Sequence, residues 1–169
     1  EAILGLPVNK HPDPHELVAM LIDAEKQNRS HKRMELYLRL SKLRYRTSLD
    51  QIDCSEARNL KKEHLLALAD QGYLERGENI LITGATGCGK SYLACALGHQ
   101  ACLLGYRTLY FNMNRLTEQI ALAKTDGTLI KWLNKIRKAK LIILDDFGLQ
   151  SIDHATKLIL LQILEDRYE

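Results

Sequence analysis

No apolar run in this 169-residue chain approaches the roughly 20 residues that a membrane-spanning helix requires, so a helical span is not expected. The first residues, Glu1-Ala2-Ile3-Leu4-Gly5-Leu6-Pro7, lack the basic start and sustained apolar stretch of a secretory signal. They also lack an initiator Met, which points to a trimmed chain or the ordered part of a longer one. Cysteine is scarce: there are four, with no Cys-x-x-Cys pair and no His at ligand spacing, which argues against a zinc site. Cys88, Cys95 and Cys102 recur every seven residues. That puts them on one helical stripe, with neighbours roughly 10 Å apart, too far for a disulfide or shared metal. Small buried hydrophobes in a reducing cytoplasm are the expectation. Internal repeats and low-complexity tracts are absent too.

Charge is present in quantity but unevenly placed. The net charge is +3. Between Lys26 and Arg46, eight basic residues (Lys26, Arg29, Lys32, Arg33, Arg39, Lys42, Arg44 and Arg46) face one acid, Glu35, so this segment carries +7 and the rest sums to −4. Such asymmetry suggests a polyanionic partner. The aromatics here are only Tyr37 and Tyr45. Tracking a duplex backbone is therefore favoured over stacking on single-stranded bases, with counterion release making the affinity salt-sensitive. A solvated helix face is the alternative, and Leu36, Leu40 and Leu43 offer a stripe that could dock on a neighbouring subunit or partner.

Helical spacing of Leu17, Leu21 and Ala24, then of Leu36, Leu40 and Leu43, predicts helix from about Pro14 to Arg46. Asp13-Pro14 is its cap, and Asn28–His31 is a candidate break into two helices. Residues 1–46 read as a basic helical region and 47–58 as a linker. The core begins at 59, where Asn59–Gln71 is a predicted helix with Leu60, Leu65, Leu66 and Leu68 on its apolar side. From Asn79, strand and helix alternate. Ile80–Thr83, Thr108–Phe111 and Leu141–Leu144 are short apolar strands, and Lys90–Leu104 is a helix ending near Gly105. Met113–Lys124 and Leu129–Lys138 are helices broken at Asp126-Gly127, and Asp153 caps a last helix. Apolar strands separated by helices imply an α/β fold with a parallel sheet covered on both faces.

Gly84-Ala85-Thr86-Gly87-Cys88-Gly89-Lys90-Ser91 fits G-x-x-x-x-G-K-[ST] in full, between an expected apolar strand and a helix. Glycines let backbone N–H groups turn inward around a β-phosphate, and the helix start adds the positive end of its dipole. Lys90 can reach the β- and γ-phosphates of ATP, Ser91 can ligate Mg²⁺, and Tyr92 completes the nucleotide-binding set. A ligand-free glycine turn is the competing reading. The strand Leu141–Leu144 ends in Asp145-Asp146. Ligands of open parallel sheets sit at the strands' carboxyl ends, where Ser91 and Asp145 would converge on Mg²⁺. Asp146 is placed to orient an attacking water, although paired acids there can also cap the next helix. Being shorter than Glu, Asp146 predicts slow or assembly-dependent hydrolysis.

Gly84–Ser91, Leu93–Gly98, Leu141–Gly148 and Leu164-Glu165-Asp166-Arg167-Tyr168 together resemble the IstB-like transposition helper ATPases. These belong with the DnaC-type helicase loaders in the initiator group of AAA+ proteins. The resemblance implies a P-loop AAA+ core and a bacterial, cytoplasmic, ATP-dependent protein that assembles as a ring or filament on duplex DNA and cooperates with a transposase. It also implies nucleic acid against the helices between the second and third strands, which offer Lys131, Lys135, Arg137, Lys138 and Lys140; a solvated face accounts for these too. The family's sheet has two further strands, carrying the residue that senses the γ-phosphate, with the arginine that reaches a neighbour's nucleotide after them. No residue up to Glu169 takes either role, so this piece is expected to bind nucleotide better than it hydrolyses it. A helicase loader of the same fold is the nearest alternative. A small-molecule kinase would need a substrate pocket and a basic lid, and usually lacks the doubled aspartate.

Overall fold

The computed structural model describes residues 13–55, 60–70, 72–149 and 151–167. The expectations for Glu1–Pro7, Asn59, Gln71 and Tyr168, and for part of the 47–58 segment, fall outside them. The chain divides into two compact units, Glu1–Arg33 and Met34–Glu169.

Helix α1 spans Pro14–Ser41 without the break expected at Asn28–His31. Asn and Ser are only mildly unfavourable inside a helix, and neither a Gly nor a Pro is present to end it. The Arg29–Glu25 pair, 2.6 Å apart, adds one (i, i+4) link. Asp13 caps the start: its carbonyl accepts from Leu17 N at 2.9 Å and its carboxylate from His15 N at 3.3 Å. At its other end the helix is shorter than expected. Ser41 is fully buried and donates to Leu38 O, and Lys42 turns into the left-handed region at φ 54°. Arg44 and Arg46 therefore stand on irregular chain.

In the second unit, strands β1 (Thr108–Asn112) and β2 (Leu141–Asp145) pair in parallel, from Thr108 opposite Leu141 to Asn112 opposite Asp145. Alternation along the strands divides their side chains between two faces. Leu109, Phe111, Ile142 and Leu144 face a core with Met113, Leu116, Ile120, Ile136, Ile159, Leu160 and Ile163. These come from α5 (Met113–Thr125), α6 (Leu129–Arg137) and α7 (His154–Glu165). On the opposite face lies α4 (Lys90–Leu103), whose Cys95, Ala96, Leu97, Ala101 and Cys102 are buried. Gly98 permits close approach there: a Cβ on it would stand 2.7 Å from Ile143 Cδ1 and 2.8 Å from Leu43 Cδ2. Gly127, at φ 66°, makes the expected break between α5 and α6, and Asp153 caps α7 by accepting from Thr156 N at 3.0 Å. Among the described residues no helix is long and apolar enough to cross a membrane.

Three further expectations are corrected. Ile80–Thr83 forms no strand, and Leu81 is 86% exposed. A short parallel strand exists only by pairing, and among the described residues the sheet has only β1 and β2. The helix expected at Asn59–Gln71 runs only over α2 (Lys62–Ala69), with Leu65 buried and Leu66 exposed, and a short α3 (Gly72–Glu75) follows. Cys88 precedes α4 and is exposed, so only Cys95 and Cys102 of the cysteine stripe are buried; Cys54 is half-buried.

Candidate functional site

The run Gly84–Ser91 forms a tight loop that enters α4 at Lys90. Gly87 and Gly89 adopt φ of 81° and 93°, conformations that side chains disfavour. The Lys90 ammonium donates to the loop's own carbonyls, at 2.9 Å to Gly84 O and 2.8 Å to Ala85 O. The ammonium is thus engaged by the same loop that a phosphate would approach. Tyr92 points elsewhere: its hydroxyl donates to Gln51 Oε1 at 3.4 Å, on the 3-10 turn Leu49–Gln51, and its ring lies 5.8 Å from that of Tyr45.

At the second residue of α4, the Ser91 hydroxyl donates to Asp145 Oδ1 at 2.8 Å, joining residues 54 apart in sequence. The β1–β2 register brings further partners to the same carboxylate. Tyr110 donates to Asp145 Oδ2, the backbone N–H of Asp146 donates to Oδ1 at 3.0 Å, and Arg44 Nη1 lies 3.8 Å from Oδ2. Burial disfavours the charge on Asp145. The hydrogen bonds from Tyr110, Ser91 and the Asp146 N–H, together with the Arg44 charge, outweigh it and hold this carboxyl below the usual range. Burial, with the hydrogen bond to Asp145, pushes the Tyr110 phenol up, so it stays protonated and donating.

Asp146 leaves the strand at φ 59°, a left-handed conformation that Asp tolerates better than most residues. Its Oδ2 accepts from Asn112 Nδ2 at 2.6 Å. Asn112 also caps α5, its Oδ1 accepting from Asn114 N at 3.1 Å. One amide thereby joins the second aspartate to a helix start.

Tyr110, Asn112 and Arg44 are the partners that sequence reasoning did not assign to this site. A partial signal existed for two of them: Tyr110 and Asn112 are two apart on β1 and so share a face, and the strand register places Asp145 on that face too. Arg44 offered none, having been counted with the basic arm.

Ionised Asp145 and the Ser91 hydroxyl are hard oxygen donors already in contact, and Mg²⁺ is usually held by one or two protein oxygens plus phosphate and water. The residues fit the metal. Among the described residues no cluster of three or more His, Cys, Asp and Glu offers a rival site.

The basic residues fall into separate sets. Arg29, Lys32 and Arg33 are exposed on α1, with Arg29 paired to Glu25. Arg39, Lys42 and Arg46 are exposed in the second unit. Lys131 and Lys135 on α6, with Lys138 just after it, line an open cleft of about 490 Å³ with Arg107, Ile130 and Asn134. Arg107, at the entry to β1, is a fourth cation there that the sequence did not single out. Arg137 instead lies 3.6 Å from Asp166.

The sequence matches the family described as IstB-like ATP binding protein over residues 8–169. It is 36% identical over 163 residues to the IS1162 insertion-sequence protein of Pseudomonas fluorescens, whose name assigns it ATP binding, covering 96% of this chain and 71% of that one. A second relative, the y4uH insertion-sequence protein of Sinorhizobium fredii, is 39% identical over 90% of this chain and 62% of its own length. The IS21 protein of Pseudomonas aeruginosa is 28% identical across all of this chain and 64% of its own length. The chain thus spans roughly two thirds of the relatives it matches. The family match over residues 8–169, with a relative 36% identical across 96% of this chain, shows that the chain belongs to the IstB-like ATP-binding proteins of insertion sequences.

Proposed function

We propose that this chain is an ATP-switched assembly factor. It binds ATP with Mg²⁺ at Gly84–Ser91 and Asp145, oligomerises on duplex DNA in the ATP state, and assists a transposase in accepting its target. The observation that carries the reading is the 2.8 Å contact between Ser91 and Asp145, which joins the phosphate loop to the strand end. The insertion-sequence origin of the relatives supports the transposase context.

In this reading the loop's N–H groups and the α4 dipole hold the β-phosphate. Lys90 exchanges the carbonyls of Gly84 and Ala85 for β- and γ-phosphate oxygens. Ser91 and Asp145 would hold Mg²⁺, which when bound would supply charge neutralisation at the phosphates. Asp146 orients the attacking water once Asn112 shares or yields its carboxylate. Because Asn112 holds that carboxylate, hydrolysis is slow until assembly shifts the pair. Arg29, Lys32, Arg33, Arg39, Lys42 and Arg46, and the cleft of Arg107, Lys131, Lys135 and Lys138, supply the phosphate contacts to duplex DNA.

Lys90→Ala should weaken ATP binding by at least tenfold, as the removal of a charge-assisted interaction worth about 1.5–3 kcal/mol implies. Equilibrium titration with a fluorescent ATP analogue measures it, and unchanged affinity would refute the assignment.

A further inference from the structure

Arg44 belongs by sequence to the basic run, but its guanidinium lies beside the strand-end aspartate. The chain on both sides of it is fixed. Ser41 is buried, Lys42 reverses direction at φ 54°, the Leu43 tip lies close against Gly98, and Thr47 is 4% exposed. The Tyr45 ring packs toward Tyr92, and the Arg44 guanidinium lies 5.3 Å from the centre of the Tyr45 ring. Held this way, Arg44 Nη1 stands 3.8 Å from Asp145 Oδ2, with Asp145 only 10% exposed.

Both oxygens of Asp145 are already engaged. Oδ1 accepts from Ser91 and from the Asp146 N–H, while Oδ2 accepts from Tyr110 and faces Arg44. A guanidinium keeps its charge at every accessible pH, so Arg44 cannot make way by losing a proton. A divalent ion drawn to the same carboxylate must therefore contend with a fixed positive charge nearby.

We infer that Arg44 is the resident counter-ion of Asp145 and competes with Mg²⁺, so that metal loading loosens Arg44 and the 42–46 segment that carries it. The inference rests on Ser91 and Asp145 being the metal site. It adds a coupling: the segment that leaves the long basic helix responds to the metal that accompanies nucleotide.

The test uses the full chain and N-methylanthraniloyl-ATP, titrated with Mg²⁺. Arg44→Ala should lower the half-saturating Mg²⁺ concentration on the order of two- to fivefold, the range expected for a half-exposed pair. Arg44→Lys, which keeps a charge, should fall between Arg44→Ala and the parent. An Arg44→Ala value equal to or higher than the parent's overturns the inference. So does a loss of nucleotide affinity that is the same with Mg²⁺ and with EDTA, since that marks Arg44 as a phosphate ligand. The parent protein gives an independent reading. Its Arg44 Nε–Hε resonance should shift with Mg²⁺ and ATP but not with ATP and EDTA, and equal spectra in the two conditions also overturn the inference. Failure of the underlying site reading looks different: the parent would show no Mg²⁺ dependence, or Lys90→Ala would bind as the parent does.

Discussion

Asp145 gathers four partners within 4 Å, from β1, α4, its own strand end and the chain after α1. The preference of those partners for the ionised form has a thermodynamic consequence. A carboxyl whose folded pKa lies below its unfolded value binds fewer protons when folded, so it contributes stability above the ordinary value of 3.8. That contribution is lost as pH falls through the lower folded value. In metal-free protein, the denaturation midpoint should thus drop more steeply below about pH 4 in the parent than in Asp145→Asn. Parallel slopes for the two proteins would show that the partners do not favour the charge. At this scale the sequence was half legible. Ser91 and Asp145 could be paired because the loop and the strand end each announce themselves. Tyr110 and Asn112 needed the register of two strands, and Arg44 needed the turn at Lys42, which no spacing reveals.

Elements were more legible where their ends are chemically marked. Asn112, Asp153, Gly105 and Gly127 stand at helix ends as their types suggest, because a cap or a left-handed turn is decided within a few residues. Ile80–Thr83 misled for the opposite reason, since an apolar run states burial but cannot state whether a neighbour will pair with it. Leu164–Arg167 carried only a resemblance in sequence; in the fold the Arg167 guanidinium donates to Ala139 O at 2.7 Å and Lys140 O at 2.6 Å, tying the end of α7 to the start of β2. The packing of α5 can be tested directly. Leu116 is 1% exposed within the core under β1 and β2. Leu116→Ala should cost about 2–5 kcal/mol, read from urea denaturation, whereas an exposed control such as Leu122→Ala should change little.

For the molecule as a whole, the +7 segment and the α6 cleft predict a polyelectrolyte response. Duplex affinity should fall steeply with salt. Replacing Arg29, Lys32 and Arg33 together with Ala should reduce the log–log slope by about 2–3, near 0.9 for each phosphate that is no longer neutralised. Fluorescence anisotropy across a salt series, with ATP and with ADP, measures both slope and switching. An unchanged slope would assign the three cations to a solvated face. ATP-independent binding would remove the switch.

The parallel pairing of Thr108–Asn112 with Leu141–Asp145 also acts as a proofreading device. A slip of one residue would turn a whole strand over. Asp145 would lose Tyr110, and in the same step Leu109 and Phe111 would leave the core they share with α5 and α7. A chain misaligned at the site is therefore also a chain without an interior. Such errors would be rejected as unfolded protein, and would not persist as folded molecules with a faulty nucleotide site.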